Sequence, residues 1–348
     1  MTDATDADAA DRPAATPPDL PIAVDAMGGD RAPAEIVAGA ERAAAELGLP
    51  VALVGDPDRI GTTSLEVFPA SEVIGMDDDP GQGVRRKKDS SLVRAAEAVR
   101  DGRASAMVSA GNTGATWGAA LLRMGRIKGV ARPAIATPLP RPGCDTPLVL
   151  LDAGANADAQ AEWLLQFAQM GTVFARQRFG VDRPRVALLS IGEEPGKGDA
   201  LRKEAHPLLA DPGWADRVGA EFAGNVEGRD LLQPGVDVVV TDGFTGNVAL
   251  KSLEGAMRTL IGAVLGAFDT DDDTRAAGEV LMPALLPLYG QLDPDATGGA
   301  MLLGVDGVCI ISHGSSSATA IVNACRVAAE SVASDLVGAV TRAVRPES

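Results

Sequence analysis

Histidine and cysteine are scarce in this 348-residue chain, with two of the first and three of the second. Cys144, Cys309 and Cys325 form no C-x-x-C pair, so a zinc centre or a disulfide framework lacks ligands. We therefore expect no metal and no cofactor, and a reducing cytoplasmic setting. Positive charge is also short: 31 Lys and Arg stand against 48 Asp and Glu, a formal charge of -17. That balance excludes general nucleic-acid binding, because nothing would neutralise phosphates over a wide face. No apolar run reaches the length of a membrane span, about eighteen residues. Two fingerprints are missing as well. No G-x-G-x-x-G follows a strand, which argues against a dinucleotide enzyme, and no G-x-S-x-G elbow supports a serine hydrolase.

What is present is an ordinary globular composition, 46% hydrophobic and 23% charged. Residues 1–20 (MTDATDADAADRPAATPPDL) lack the apolar core of a signal peptide and read as a disordered acidic tail. Residues 21–345 read as one α/β domain. Within it a short apolar run ending in Gly, Asp, Asn or Ser, followed by an amphipathic stretch, recurs about seven times. The clearest cases are IAVDAMGGD, VALVGD, AMVSAGNTGA, LVLLDAGANADA, VALLSIGEE, VVVTDGFTGN and VCIISHGSSS. Continuous rather than alternating apolar runs predict strands covered on both faces, hence a doubly wound, mostly parallel sheet. In such sheets the loops after the strands gather at one edge, where helix N-termini favour anions, so these loops are expected to converge. Residues 253–292 break the rhythm and predict a projecting helical hairpin. It reads either as a dimer or core helix pair or, through LMPALLPLYG, as a membrane-surface contact that lacks a basic face.

Several loops carry the residues of a polar, anion-accepting cleft. DAMGGD contains Asp25, Gly28, Gly29 and Asp30, and SAGNTGATWG contains Gly111, Asn112, Thr113 and Gly114. LLDAGAN holds Asp152 and Asn156, GNVEGRDLL holds Asn225, and DGFTGN holds Asp242 and Asn247. Each alone is equally a capped helix start; their shared grammar favours the cleft. Lys197, between two glycines in SIGEEPGKGDALRKEA, is either a solvated loop charge or a mobile cation for phosphate or an oxyanion. His313 in SHGSSS either holds its loop or moves a proton. Cys144, in a proline-rich setting, is a poor candidate for an acyl thioester. The block Arg85, Arg86, Lys87 and Lys88 is the one concentration of positive charge, either a solvated face or a dock for an acidic partner. Arg123, Arg126 and Lys128 extend it.

DAMGGD, VRRKKDSS, SAGNTGA, GRIKGVARPA, LLDAGAN, GNVEGRDLL, TDGFTGNVALKSLEG and SHGSS, in that order across residues 21–335, closely resemble the PlsX family of bacterial phosphate acyltransferases. The resemblance implies transfer of a fatty acyl group from acyl carrier protein to inorganic phosphate, giving acyl phosphate for phospholipid synthesis. It further implies a homodimer with a Rossmann-like sheet related to phosphotransacetylases and isopropylmalate dehydrogenases. Peripheral membrane association and a downstream membrane glycerol-3-phosphate acyltransferase also follow from it. On this basis the backbone N–H groups of Gly28, Gly29, Gly111 and Asn112 are expected to hold phosphate. Lys197 and Asn247 would polarise the thioester carbonyl, and His313 would protonate the leaving thiol. Asp25 and Asp242 would orient the donors, with Thr113, Gly114, Asn156 and Asn225 lining the site and residues 85–88 docking the carrier. The chain departs from the family pattern at Pro195, inserted in the acidic run, and at Asp199, where Asn is common. Alternatives are a phosphotransacetylase-like acyl-CoA:phosphate transferase and a noncatalytic carrier-protein scaffold.

Overall fold

In the computed structural model, which describes residues 19–292 and 294–345, each of the seven apolar runs contains a strand, and four further strands complete the sheet. The predicted acidic tail lies outside the described residues apart from Asp19 and Leu20. The first half of the chain contains β1 (Ile22–Asp25), α1 (Ala34–Leu47), β2 (Val51–Gly55), α2 (Pro57–Ile60), β3 (Glu66–Pro69), α3 (Pro80–Arg86) and α4 (Ser91–Arg100). It continues with β4 (Ala106–Ser109), α5 (Thr113–Arg123), β5 (Ala134–Leu139), β6 (Leu148–Leu151) and α6 (Ala161–Phe179). Next come β7 (Arg185–Leu189), α7 (Ala200–Ala210), α8 (Pro212–Val218), β8 (Glu221–Val226), β9 (Val238–Val240), α9 (Gly243–Phe268) and α10 (Asp272–Leu292). The last elements are α11 (Pro294–Thr297), β10 (Ala300–Leu303), β11 (Val308–Ile311), α12 (Ala318–Ala333) and α13 (Leu336–Ala343).

The eleven strands form one sheet in the order β3-β2-β1-β4-β11-β10-β5-β6-β9-β7-β8. The sheet is mostly parallel, and the strands of the seven apolar runs are buried on both faces, whereas the edge strands β3 and β8 are only partly buried. One core, with Val24, Val108, Leu151 and Leu188, lies under α1, α6, α7, α8, α12 and α13. The other, with Ala23, Met107, Leu150 and Val239, lies under α3, α4, α5 and α9. The alternation of side chains along each strand assigns neighbouring residues to opposite cores.

Three antiparallel pairings, β10 with β11, β10 with β5 and β5 with β6, sit in the middle of the sheet. They reverse the direction of the second parallel block relative to the first. The C-terminal ends of β1, β4 and β11 therefore face one edge, and those of β6, β7 and β9 face the other. This corrects the expectation that all the glycine loops meet at one edge. The first arm of the hairpin expected over 253–292 belongs to one long helix that starts at Gly243, inside DGFTGN, and packs on α10 across a turn at 269–271.

Candidate active site

At the first edge the loops after β1, β4 and β11 close on one another. Asp25 is buried, and its Oδ2 accepts a hydrogen bond from Ser109 Oγ at 2.7 Å. Burial pushes its carboxyl up, against hydrogen bonds from Ser91, Ser109 and the Met27 and Gly28 amides. Gly28 has no room for a side chain: a Cβ there would lie 2.5 Å from Asp25 Oδ2 and 2.9 Å from the Gly111 nitrogen. Gly29 adopts φ +112° against the carbonyls of Ala110 and Gly314. Asn112 is committed to structure. Its Oδ1 caps α5 through Ala115 N at 3.0 Å, and its Nδ2 donates to Met76 O at 2.9 Å. Gly114 lets α5 approach Pro80 of α3, while Thr113 is exposed.

At the second edge Asp152 and Asp242 organise the chain. Asp152 accepts from the backbone of Ile135, Gly154, Ala155 and Asn156 and from Asn156 Nδ2. Asn156 Nδ2 also donates to Pro133 O at 2.8 Å, so this amide serves the loop. Asp242 caps α9 through Thr245 N at 2.8 Å. Burial pushes its carboxyl up, but hydrogen bonds from Thr245 and the Arg202 charge hold it below the usual range. Asn225 Nδ2 donates to Glu194 O at 2.8 Å, holding the loop that carries Lys197. Lys197 and Asn247 are both exposed at this edge.

Helix α9 joins the two edges. Asn247, Lys251 and Glu254 fall on one helical face at spacings of four and three, spanning about 10 Å along the axis. Lys251 Nζ donates to Glu254 Oε2 at 2.9 Å, and Glu254 Oε1 lies 3.5 Å from His313 Nε2. Burial and the charge of Lys251 pull the His313 imidazole down, with Glu254 and Asp295 acting the other way. Lys251, Glu254 and the buried Arg202 are absent from the sequence reading. The signal for Glu254 is its position seven residues after Asn247; for Arg202 it is the third helical position after an Asp cap.

The basic block is divided. Arg85, Arg86 and Lys88 are exposed, whereas Lys87 Nζ turns inward to Val73 O at 2.8 Å and Asp78 Oδ2 at 2.5 Å. Arg126 folds onto Ala131 O and Arg123 lies 3.7 Å from Glu97. Among the described residues no group of His, Cys, Asp and Glu could hold a metal ion. Burial pushes the thiols of Cys309 and Cys325 up to about 12, so both are inert at neutral pH.

A model of the family described as fatty acid synthesis protein matches residues 20–338. A phosphate acyltransferase of Desulforudis audaxviator is 48% identical over 324 residues, 92% of this chain and 94% of that protein. One from Geobacillus thermodenitrificans is 46% identical over 325 residues, covering 92% and 97%. Among solved structures, a phosphotransacetylase from Streptococcus pyogenes superposes with a TM-score of 0.59 at 17% identity, covering 90% of this chain and 94% of that one. The EutD phosphotransacetylase from Staphylococcus aureus gives 0.57 at 16% identity, covering 90% and 94%. At these identities the two structures speak for the fold alone.

Proposed function

This chain belongs to the fatty acid synthesis protein family, and from that premise we propose that it transfers a fatty acyl group from acyl carrier protein to inorganic phosphate. A phosphate oxygen attacks the thioester carbonyl, the C–S bond breaks, and the carrier leaves as a thiol beside an acyl phosphate. Thiolate is a good leaving group, so the protein's task is to orient two anionic reactants and stabilise the oxyanion.

The observation that carries the reading is the polar face of α9, which runs from Asn247 through Lys251 to the Glu254–His313 pair. Lys251 stands one turn from each end and supplies the cation for phosphate, together with the amides of the Gly28 and Gly111 loops. Lys197 and Asn247 polarise the carbonyl. His313, whose pKa burial lowers, takes a proton from phosphate or solvent and passes it to the departing sulfur, which leaves as a thiol. Asp25, Asp152 and Asp242 act through the loops they hold and do not touch phosphate.

The acidic carrier docks on Arg85, Arg86 and Lys88, beside the loop at 76–79 that Asn112 holds. The hairpin exposes Leu260, Val264, Leu265, Val280 and Leu281, a surface for a second copy of the chain and for peripheral contact with a membrane. No helix among the described residues is long and apolar enough to cross one. The acyl phosphate passes to a membrane glycerol-3-phosphate acyltransferase.

The test is phosphate-dependent thiol release from acyl carrier protein by the purified chain, with acetyl-CoA as a second donor. Turnover with the carrier substrate is expected. Turnover with acetyl-CoA alone would assign a phosphotransacetylase-like enzyme, and carrier binding without turnover a scaffold. Lys197→Ala is expected to lower kcat by roughly 100- to 1,000-fold, the usual cost of an oxyanion donor.

A further inference from the structure

Arg202 lies in the first turn of α7 and is only 6% exposed. Its Nε donates to Leu189 O at 3.2 Å and its Nη1 to Asp199 Oδ2 at 3.0 Å. Its Nη2 meets Thr241 Oγ1 at 2.6 Å, Asp242 Oδ2 at 2.5 Å and Thr245 Oγ1 at 3.2 Å. One guanidinium thus ties the end of β7 and the cap of α7 to the end of β9 and the first turn of α9. Lys197 is two residues before the Asp199 cap, and Asn247 is two residues after Thr245. The loop 191–199 has otherwise little to hold it: most of its residues are exposed, and its side-chain tether from the neighbouring strand is Asn225 to Glu194 O.

We infer that Arg202 is a positioning residue that sets the Lys197 loop against the start of the Asn247 helix, so that both donors reach one carbonyl oxygen. The inference rests on the roles proposed above for Lys197 and Asn247. A rigid planar fork is what the geometry demands, because its donors leave in fixed directions toward four separate segments. Lysine at this position keeps the charge but offers one ammonium, which reaches some of these acceptors and frees the others.

Arg202→Lys in the full chain tests this in two ways. Hydrogen–deuterium exchange is expected to quicken in segments 191–199 and 241–247, with other segments unchanged. In the phosphate-dependent assay kcat is expected to fall at least tenfold while KM for the carrier stays within about twofold. If Arg202→Lys does not yield folded protein, Thr241→Val, which keeps the side chain's shape and removes the hydroxyl that accepts from Arg202 and donates at 3.4 Å to Asp242 Oδ2, carries the same two measurements with a smaller effect. Unchanged exchange in both segments overturns the inference, as does faster exchange spread over the whole chain or full kcat with both segments loosened. Wild-type protein without turnover would sink the proposed function instead, and the exchange result would still report on the Arg202 tie.

Discussion

His313 Nε2 lies 3.5 Å from Glu254 Oε1, joining the loop after β11 to the middle of α9. Glu254 is held from its other oxygen by Lys251, so the imidazole is flanked by a carboxylate and, behind it, a cation. Burial is the largest influence on His313 and lowers its pKa, Lys251 adds to that, and Glu254 opposes it.

Removing the carboxylate charge with Glu254→Gln should therefore move the His313 titration further down. The chain has two histidines, so proton NMR with His206→Gln as the assignment control resolves it. An upward shift would contradict the arrangement. The same sign governs stability. His313 and His206 are both depressed, the latter by burial, so the unfolded chain takes up protons that the folded chain refuses. Their contribution is present above the unfolded value of about 6.5 and is lost as pH falls toward the folded values. Urea midpoints at pH 7.5 and 5.5 should converge when both histidines are replaced by Gln.

Asp152→Asn should be strongly destabilising although it is nearly isosteric. Both carboxylate oxygens accept from N–H groups, and an amide would turn a donor toward donors. With about 1.5–3 kcal/mol for each hydrogen bond to a charged group, a loss of about 3 kcal/mol is expected by urea unfolding. A loss under about 1 kcal/mol would show that the loop rearranges freely.

Glycines of α9 should respond with opposite signs. A Cβ at Gly246 would run into the backbone carbonyl of Asp152, so Gly246→Ala should cost about 1–3 kcal/mol through overpacking. Gly262 has open space around it, and Gly262→Ala should gain about 0.5–1 kcal/mol from helix propensity. Thermal unfolding of the two variants side by side decides whether the start of α9 packs as described.

Charge reversal at Arg86 and Lys88 should weaken carrier-protein binding most at low salt and leave the circular dichroism unchanged, since exposed charges act by steering. Lys87→Glu should differ by loosening the segment it anchors at Val73 and Asp78. Equal loss of binding in all three, without any change in stability, would argue against that division.

The apolar runs made β1, β2, β4, β6, β7, β9 and β11 readable, because a strand buried on both faces must be apolar throughout. Strands β3, β5, β8 and β10 carry weaker signals, such as the lone Glu66 start and the glycine in EFAGNV. Two of the three antiparallel pairings behind the reversal had a signal too, while the third, β10 with β5, joins strands far apart in the chain and had none. PRPGCDTP between β5 and β6 and GVDG between β10 and β11 are too short for a parallel crossover, which needs a dozen or more residues. The roles of Asn112, Asn156 and Lys87 were not legible, because an amide or ammonium at a loop end looks the same in sequence whether it faces a ligand or a carbonyl of its own chain.

The sequence by itself determined the layered α/β class, the loops that end the strands and the family to which they belong, since these depend on local periodicity and on ordered motifs. Only the tertiary structure decided that the loops divide between two edges of the sheet and that α9 joins them. Strand direction is set by which neighbours share backbone hydrogen bonds, and a side chain's partner is set by segments far away in the chain. Arg202 illustrates this: its acceptors just after β9 and in the first turn of α9 lie some forty residues from it, and folding alone brings them to one guanidinium.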